Sequence, residues 1–461
     1  MPHIEKLFEH LLPPDLLSQA DEGQNSRDRI YSLRCTFWGF LWQILNPGTS
    51  CREVVRHIQA IFGLAGEPDV DEKNSGYCQA RRRLPLATLQ RARQAAANQA
   101  EKLLPEKCRR WHGWLPKVVD GTCLSLPDTA KNQAAYPQSA RQKPGCGFPL
   151  LKLVGLFSLS SGALIGYARG NKHRGELPLL FRLRRLFQPR DLLIADRGFA
   201  SYVVLALLEL MGVACVMRLH QGRPKDLRRG LRLGKKDRLW VWSRPRQKPR
   251  YLPKSLWKRV PEEFVVRVLE FQLSCPGFRS QNVTLVTTLT DAEVYPAREL
   301  AELYRRRWSI ELWWRHLKTS MGMDVLSCQS PAMVHKELEM YLTAYNCIRC
   351  LMVEAAAIHD RPLEQISFKG TVDAVRQYSP LIAQAPSRKK QKQLLVRLLE
   401  VLALDLVPQR PGRYEPRAIK RRPKAYPLLT KPRHLYKETL HRAKTRRAAN
   451  KQKTPKTRNL N

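Results

Sequence analysis

Acidic residues are scarce in this chain: 40 Asp plus Glu stand against 81 Lys plus Arg, a net charge of +41 over 461 residues. A field of that sign and size calls for a polyanionic partner, and nucleic acid is the obvious one. Long apolar runs are missing too. No stretch of 18 or more apolar residues exists, which excludes a membrane-spanning helix. The richest segment, Phe37 to Leu45, is too short to span and lacks a signal-peptide cleavage pattern, so it reads as a buried helix. A cysteine framework is likewise absent. The 11 cysteines are odd in number and scattered, which points to free thiols in a reducing compartment, the cytoplasm. Cys347-x-x-Cys350 lies inside an apolar helical run with no second pair at zinc-ligand spacing, and it reads as core. A chain this long buries a substantial core without such staples and has room for two or three domains.

The excess charge is concentrated. Residues 218–259 hold 16 Lys and Arg against 2 Asp, and residues 411–461 hold 17 against 2 Glu, so the two segments carry 29 of the 41 excess charges. They are the expected electrostatic footprint, because each neutralised phosphate releases counterions.

Taken in order, residues 1–110 read as a helical N-terminal region. Ser50-Cys51-Arg52-Glu53 forms a capping-box pattern ahead of Val54, Val55, Ile58, Ile61 and Phe62, with Gly63 expected to end that helix. A short basic helix follows, carrying Arg81, Arg82 and Arg83 and stopped by Pro85. Contact with a DNA groove or phosphate and a merely solvated basic face are both open for these arginines. At Pro116 the pattern turns to β. A strand carrying Asp120 is followed by strands at 152–159 and 163–169 with hairpin chemistry between them, a helix at 176–187, and an apolar strand that ends in Asp196. That order matches a ribonuclease-H-like mixed sheet flanked by helices, an α/β class, occupying residues 111–220 and 291–360. A basic β-rich insertion interrupts it at 221–290, where Trp240, Trp242 and Trp257 would suit presentation to DNA. A long apolar helix at 331–358 completes the core, a helical region fills 361–410, and the basic tail 411–461 is expected to be disordered without DNA.

The most informative stretch runs from Tyr304 to Lys318. On a continuous α-helix from about Pro296 toward Gly322, Tyr304, Arg307, Glu311 and Lys318 fall within an arc of roughly 60°. Leu303, Ile310, Trp314 and Leu317 form an apolar edge beside them. Tyr, two residues, Arg, three, Glu, six, Lys resembles the signature of the IS-four-type insertion-sequence transposases, cut-and-paste enzymes with a DDE active site. Asp120-Gly121-Thr122 and Asp196-Arg197-Gly198-Phe199 are similar to that group's motifs around its two aspartates.

The resemblance implies that Asp120, Asp196 and Glu311 converge as catalytic acids and metal ligands. Carboxylate oxygens are hard, so the implied cofactor is Mg²⁺ or Mn²⁺, as two ions. It also implies that Tyr304, Arg307 and Lys318 hold DNA phosphates. Trp308 stacks on a displaced base or packs, with both roles open. The N-terminal region, including Arg81, Arg82 and Arg83, is expected to bind the element's ends. The implied partner is double-stranded DNA, both element ends and target, bound by a homodimer in the cytoplasm at the nucleoid, with no membrane. Asp128 and Asp191 are alternative ligands, although both sit at turn-like positions. A non-catalytic DNA-binding protein of the same fold and a nuclease that cuts without joining are the competing readings.

Overall fold

The computed structural model describes residues 3–18, 29–67, 69–223, 228, 230–273, 281–408 and 432. Among the described residues nine strands form: β1 (Leu115–Ser125), β2 (Leu150–Ser158), β3 (Leu164–Asn171), β4 (Asp191–Ala195), β5 (Ala214–Arg218), β6 (Leu231–Gly234), β7 (Asp237–Ser243), β8 (Glu263–Leu273) and β9 (Gln281–Thr287). They make one sheet in the order β3-β2-β1-β4-β5-β9-β8-β7-β6. β1, β4 and β5 run parallel, and the remaining neighbours are antiparallel. This is a ribonuclease-H-like mixed sheet with helices on both faces. The strands of the basic segment do not stand apart from it: β9 pairs with β5, Met217 opposite Val286, so the insertion lengthens the sheet.

Side chains alternate between the two faces along each strand, and the core divides accordingly. Val118, Leu124, Phe157, Ile194 and Val216 point to the side covered by the helices Leu86–Lys102 and Pro331–Ile358. Val119, Val154, Leu193, Ala195 and Met217 point to the side covered by the helices Glu176–Leu183 and Tyr202–Glu209. The Pro331–Ile358 helix has proline in its first turn, where the missing amide costs nothing, and is buried along most of its length. Cys347 and Cys350 lie wholly inside it, as core residues. Its polar residues fasten neighbouring elements. Asn346 accepts from the Leu164 amide at 2.9 Å and donates to the carbonyls of Leu164 and Arg93, both at 3.1 Å. Glu339 accepts from Arg93 Nε at 2.9 Å and from the Tyr167 hydroxyl at 2.7 Å.

The N-terminal layer is helical, with Leu33–Leu45 buried as its apolar run requires. Both bonds of the Ser50 to Glu53 capping box form, but the helix passes Gly63 and ends at Gly66, whose φ of 65° provides the left-handed stop. Gly63 stays helical because nothing there demands a positive φ. The helices Phe368–Ala383 and Arg388–Leu404 close the described chain. The basic tail 411–461 falls outside the described residues apart from residue 432. Among the described residues, no helix is long and apolar enough to cross a membrane.

The basic segment departs from expectation in its tryptophans. Trp242 is buried, with the Arg223 guanidinium 3.8 Å from its ring centroid, and Trp257 packs against the same core under Arg244 at 4.9 Å. Trp240 is half-buried on that face as well. Cationic groups cap the rings of Trp242 and Trp257, and the buried Trp242 anchors the added strands instead of facing a ligand.

Candidate active site

Asp120 lies within β1 and Asp196 immediately follows β4. The parallel register pairs Val118 with Ile194 and Val119 with Ala195, which brings Asp120 and Asp196 side by side at the next step. Adjacent strands stand about 4.8 Å apart. Alternation from Val118 and Ile194 turns both aspartates toward the face that carries the Tyr304–Lys318 segment.

That segment is helical throughout, but its winding changes. An α-helix at Ala297–Arg305 tightens to 3₁₀ at Arg306–Trp308, returns to α at Ser309–Arg315 and loosens to π at His316–Ser320. The single uniform helix expected from the spacing is therefore replaced by four stretches of three different pitches along one path. Such local changes mark packing or functional constraint. The constraint is visible at Gly155, opposite Asp120 in β2. A Cβ on Gly155 would lie 2.7 Å from the Trp314 ring, which packs edge-on against Phe157 at 5.1 Å. The absent side chain lets Trp314 sit on the strand, and this seats the helix bearing Glu311 above the aspartates.

Glu311 projects outward, its side chain 62% exposed, and pairs with the buried Arg307 at 3.4 Å. Tyr304 is buried beside Arg307, whose guanidinium carbon is 5.7 Å from the Tyr304 ring centroid, and it feels the charges of Asp196 and Arg218. Burial pushes the Tyr304 phenol up to about 12. Lys318 is half-buried in the π turn, and Trp308 is 40% exposed at the end of the 3₁₀ turn. Glu311 adds to the upward push on the Asp120 carboxyl, and the charges of Arg307 and Asp196 act in opposite directions on the Tyr304 phenol.

Burial pushes the Asp120 carboxyl up to about 6, and Glu176 and Glu311 push the same way, against the Gly121 amide, which donates at 2.8 Å, and the Arg307 charge. Among the described residues, no group of three or more His, Cys, Asp or Glu side chains is gathered tightly enough to hold a metal ion, and Glu311 is engaged with Arg307. The donor chemistry nonetheless fits a hard divalent cation: the facing side chains are carboxylates, whose oxygens are hard ligands.

Of the alternative acids, Asp191 is committed elsewhere. It is buried, takes the Lys117 ammonium at 2.5 Å and accepts the Gln188 amide at 2.7 Å. Asp128 accepts from the Gln133 amide at 2.8 Å.

The three N-terminal arginines separate by role. Arg81 is buried, lies over Phe40 at 3.8 Å and donates to Cys51 Sγ at 3.1 Å and Cys328 Sγ at 3.4 Å, so it packs the layer. Its position four residues after the buried Tyr77, on one helix face, was the available signal. Arg82 is exposed and Arg83 half-exposed. Arg82 joins Lys131 and Lys336 around a recess of about 920 Å³ between the basic helix and the start of the Pro331–Ile358 helix. Lys131 and Lys336 went unnoticed in the sequence because their helices face one another only in the fold.

The chain is 27% identical over 433 residues to the transposase InsG for insertion sequence element IS4 of Escherichia coli strain K12, covering 91% of this chain and 93% of that one. Among solved structures it is similar to a piggyBac transposase synaptic complex with hairpin DNA, at a TM-score of 0.40 and 10% identity, covering 89% of this chain and 84% of that one. Residues 116–347, half of the chain, match the model of the transposase DDE domain. They span both aspartates and the Glu311 helix, and the chain belongs to the DDE transposases, enzymes that act on DNA, of the type carried by IS4.

Proposed function

We propose that this DNA transposase moves its element by cut and paste: hydrolysis at the element's ends, then attack of the freed 3′ hydroxyl on target DNA. The observation that carries the reading is the register of β1 and β4, which sets Asp120 beside Asp196 on the face occupied by the Glu311 helix. One site can perform both reactions because they differ only in which oxygen attacks phosphorus.

Asp120, Asp196 and Glu311 are the acids we assign to Mg²⁺ or Mn²⁺, as two ions; such ions, when bound, activate the attacking oxygen and offset charge on the leaving one. Glu311 joins the aspartates by releasing Arg307. That release frees the Arg307 guanidinium to fork onto a phosphate of the transferred end. Lys318 adds a point charge and the Tyr304 hydroxyl a hydrogen bond. Trp308, exposed beside Arg307, stacks on a displaced base. Arg82 and Arg83 hold the backbone of the element end alongside Lys131 and Lys336, while Arg81 supports their helix from within. Two chains bring two ends together, so the working form on the cytoplasmic chromosome is a homodimer bound to double-stranded DNA.

The test supplies purified protein with a labelled element end, target DNA and Mg²⁺. Joined product supports the proposal. Hydrolysis without joining supports a nuclease that only cuts, and binding without either supports a DNA-binding protein of transposase fold.

A further inference from the structure

The turn between β3 and the Glu176–Leu183 helix carries Lys172, His173 and Arg174 in a row, all three exposed. Its conformation asks for none of these side chains. The Arg174 amide closes the turn on the Asn171 carbonyl at 3.1 Å, a bond between backbone groups. Among the described residues no ion pair and no side-chain hydrogen bond engages the three. Arg174 lays its stem over the end of β3, with its Cδ 3.2 Å from where a Cβ on Gly170 would stand, and this leaves the charged head at the surface.

The fold holds this turn close to the paired aspartates. Glu176, two residues beyond Arg174, rests its carboxylate against the residue that follows Asp120: a Cβ on Gly121 would lie 2.5 Å from Glu176 Oε1, and one on Gly198 would lie 3.6 Å from Oε2. Two residues of chain span at most about 7 Å, so the Arg174 backbone stays within that distance of the Glu176 backbone. The helix that follows packs by Leu179, Leu180 and Leu183 on the face of the sheet opposite the Glu311 helix. The three cations therefore flank the acids on the side away from Tyr304, Arg307 and Lys318.

Joining brings two DNA segments to one pair of acids. In an in-line displacement the attacking oxygen of the element end and the leaving oxygen of the target stand on opposite sides of the phosphorus. With the end on Tyr304, Arg307 and Lys318, the target approaches from the other flank, where this turn stands. Adjacent cations without an acid repel one another, and a phosphate backbone relieves that repulsion.

We propose that Lys172, His173 and Arg174 form a contact surface for the sugar-phosphate backbone of target DNA, separate from the surface that holds the element end. The proposal rests on the cut-and-paste reading of the same site. Contacts of this kind fix the position of the target and carry no base sequence.

The test uses the full chain with Mg²⁺ and compares wild type, Lys172→Ala with Arg174→Ala, and the charge-keeping pair Lys172→Arg with Arg174→Lys. Three quantities are read: affinity for a labelled element end by fluorescence anisotropy, hydrolysis at an uncut end, and joining of a pre-cut end against target concentration. The double alanine variant is expected to raise the target concentration for half-maximal joining by roughly tenfold and to lower the slope of its logarithm against log salt by about 2, as two lost phosphate contacts require. End affinity, end hydrolysis and joining at saturating target are expected to stay at wild-type values, and the charge-keeping pair to restore the target dependence. Wild-type target dependence in the double alanine variant overturns the proposal and leaves the cut-and-paste reading standing. A matching loss of end affinity assigns the turn to the element end and also overturns it. No joining of a pre-cut end by wild type overturns the cut-and-paste reading and the proposal together.

Discussion

Removing the carboxylate of Glu339 tests how the N-terminal helices are fixed to the catalytic sheet. Glu339 Oε2 takes Arg93 Nε at 2.9 Å from the Leu86–Lys102 helix, and Oε1 takes the Tyr167 hydroxyl at 2.7 Å from β3, with side chains 1% and 11% exposed for Glu339 and Arg93. The Arg93 guanidinium also donates to the Ile165 carbonyl at 3.0 Å, so it cannot leave without breaking a contact to the sheet. In Glu339→Ala a buried guanidinium loses its counter-charge, a phenol loses its acceptor and a cavity opens, which together cost about 3–5 kcal/mol. Unfolding entropy scales with length, and for about 400 ordered residues unfolding as one unit that loss lowers Tm by roughly 4–6 °C. Glu339→Gln keeps the shape and an acceptor and should cost about half as much. The assay is thermal unfolding at neutral pH with a parallel urea titration. A shift within about 1 °C for Glu339→Ala, where the buried-pair argument requires several, would refute the reasoning.

Four further outcomes follow from the same geometry. Asp191→Asn strands the Lys117 ammonium, 12% exposed, and should cost about 2–4 kcal/mol while sparing joining by the folded fraction, which separates this structural acid from Asp120. Gly155→Ala places a methyl 2.7 Å from the Trp314 ring; it should reduce joining more than DNA binding, read from the two assays on one preparation. Burial pulls His316, stacked on Phe368 at 4.4 Å, down to about 3, and His57 and His335 down to about 4. The unfolded chain binds protons near pH 6.5 that the folded chain refuses, so stability present above that value is lost as pH falls through it; His316→Gln should flatten the loss by on the order of 3 kcal/mol in urea midpoints between pH 7 and 4. Arg82→Ala and Lys336→Ala should each lower the slope of log affinity for DNA against log salt by about 1, measured by fluorescence anisotropy.

Much of this architecture was legible in the sequence for reasons that can be named. The strands around Asp120 and Asp196 carry β-branched and aliphatic runs, and the Pro331–Ile358 helix begins at a proline and stays apolar. These are local signals. The winding of residues 297–320 was not legible, because the 3₁₀ and π turns answer to Trp314 seated over Gly155, a contact between residues distant in the chain. Trp240 and Trp242 show the same limit. Their spacing of two fixes that they share a strand face, but which face is covered depends on β7 joining the main sheet. Spacing of four put both Arg307 and Arg315 within reach of Glu311, and the fold selects Arg307; that Glu176 reaches the opposite side of β1 is visible only in the fold.

The central claim is that Asp120 and Asp196, neighbours across two parallel strands, are the acids at which DNA is cut and joined. It is tested most directly by strand transfer of a labelled element end with Mg²⁺ using Asp120→Asn, an isosteric change that relieves a buried acid and keeps the fold. The account predicts wild-type DNA affinity, unfolding no earlier than wild type, and joining reduced by about a thousandfold or more, as the loss of a metal-holding group in phosphoryl transfer requires. Joining by Asp120→Asn within severalfold of the wild-type rate would contradict it.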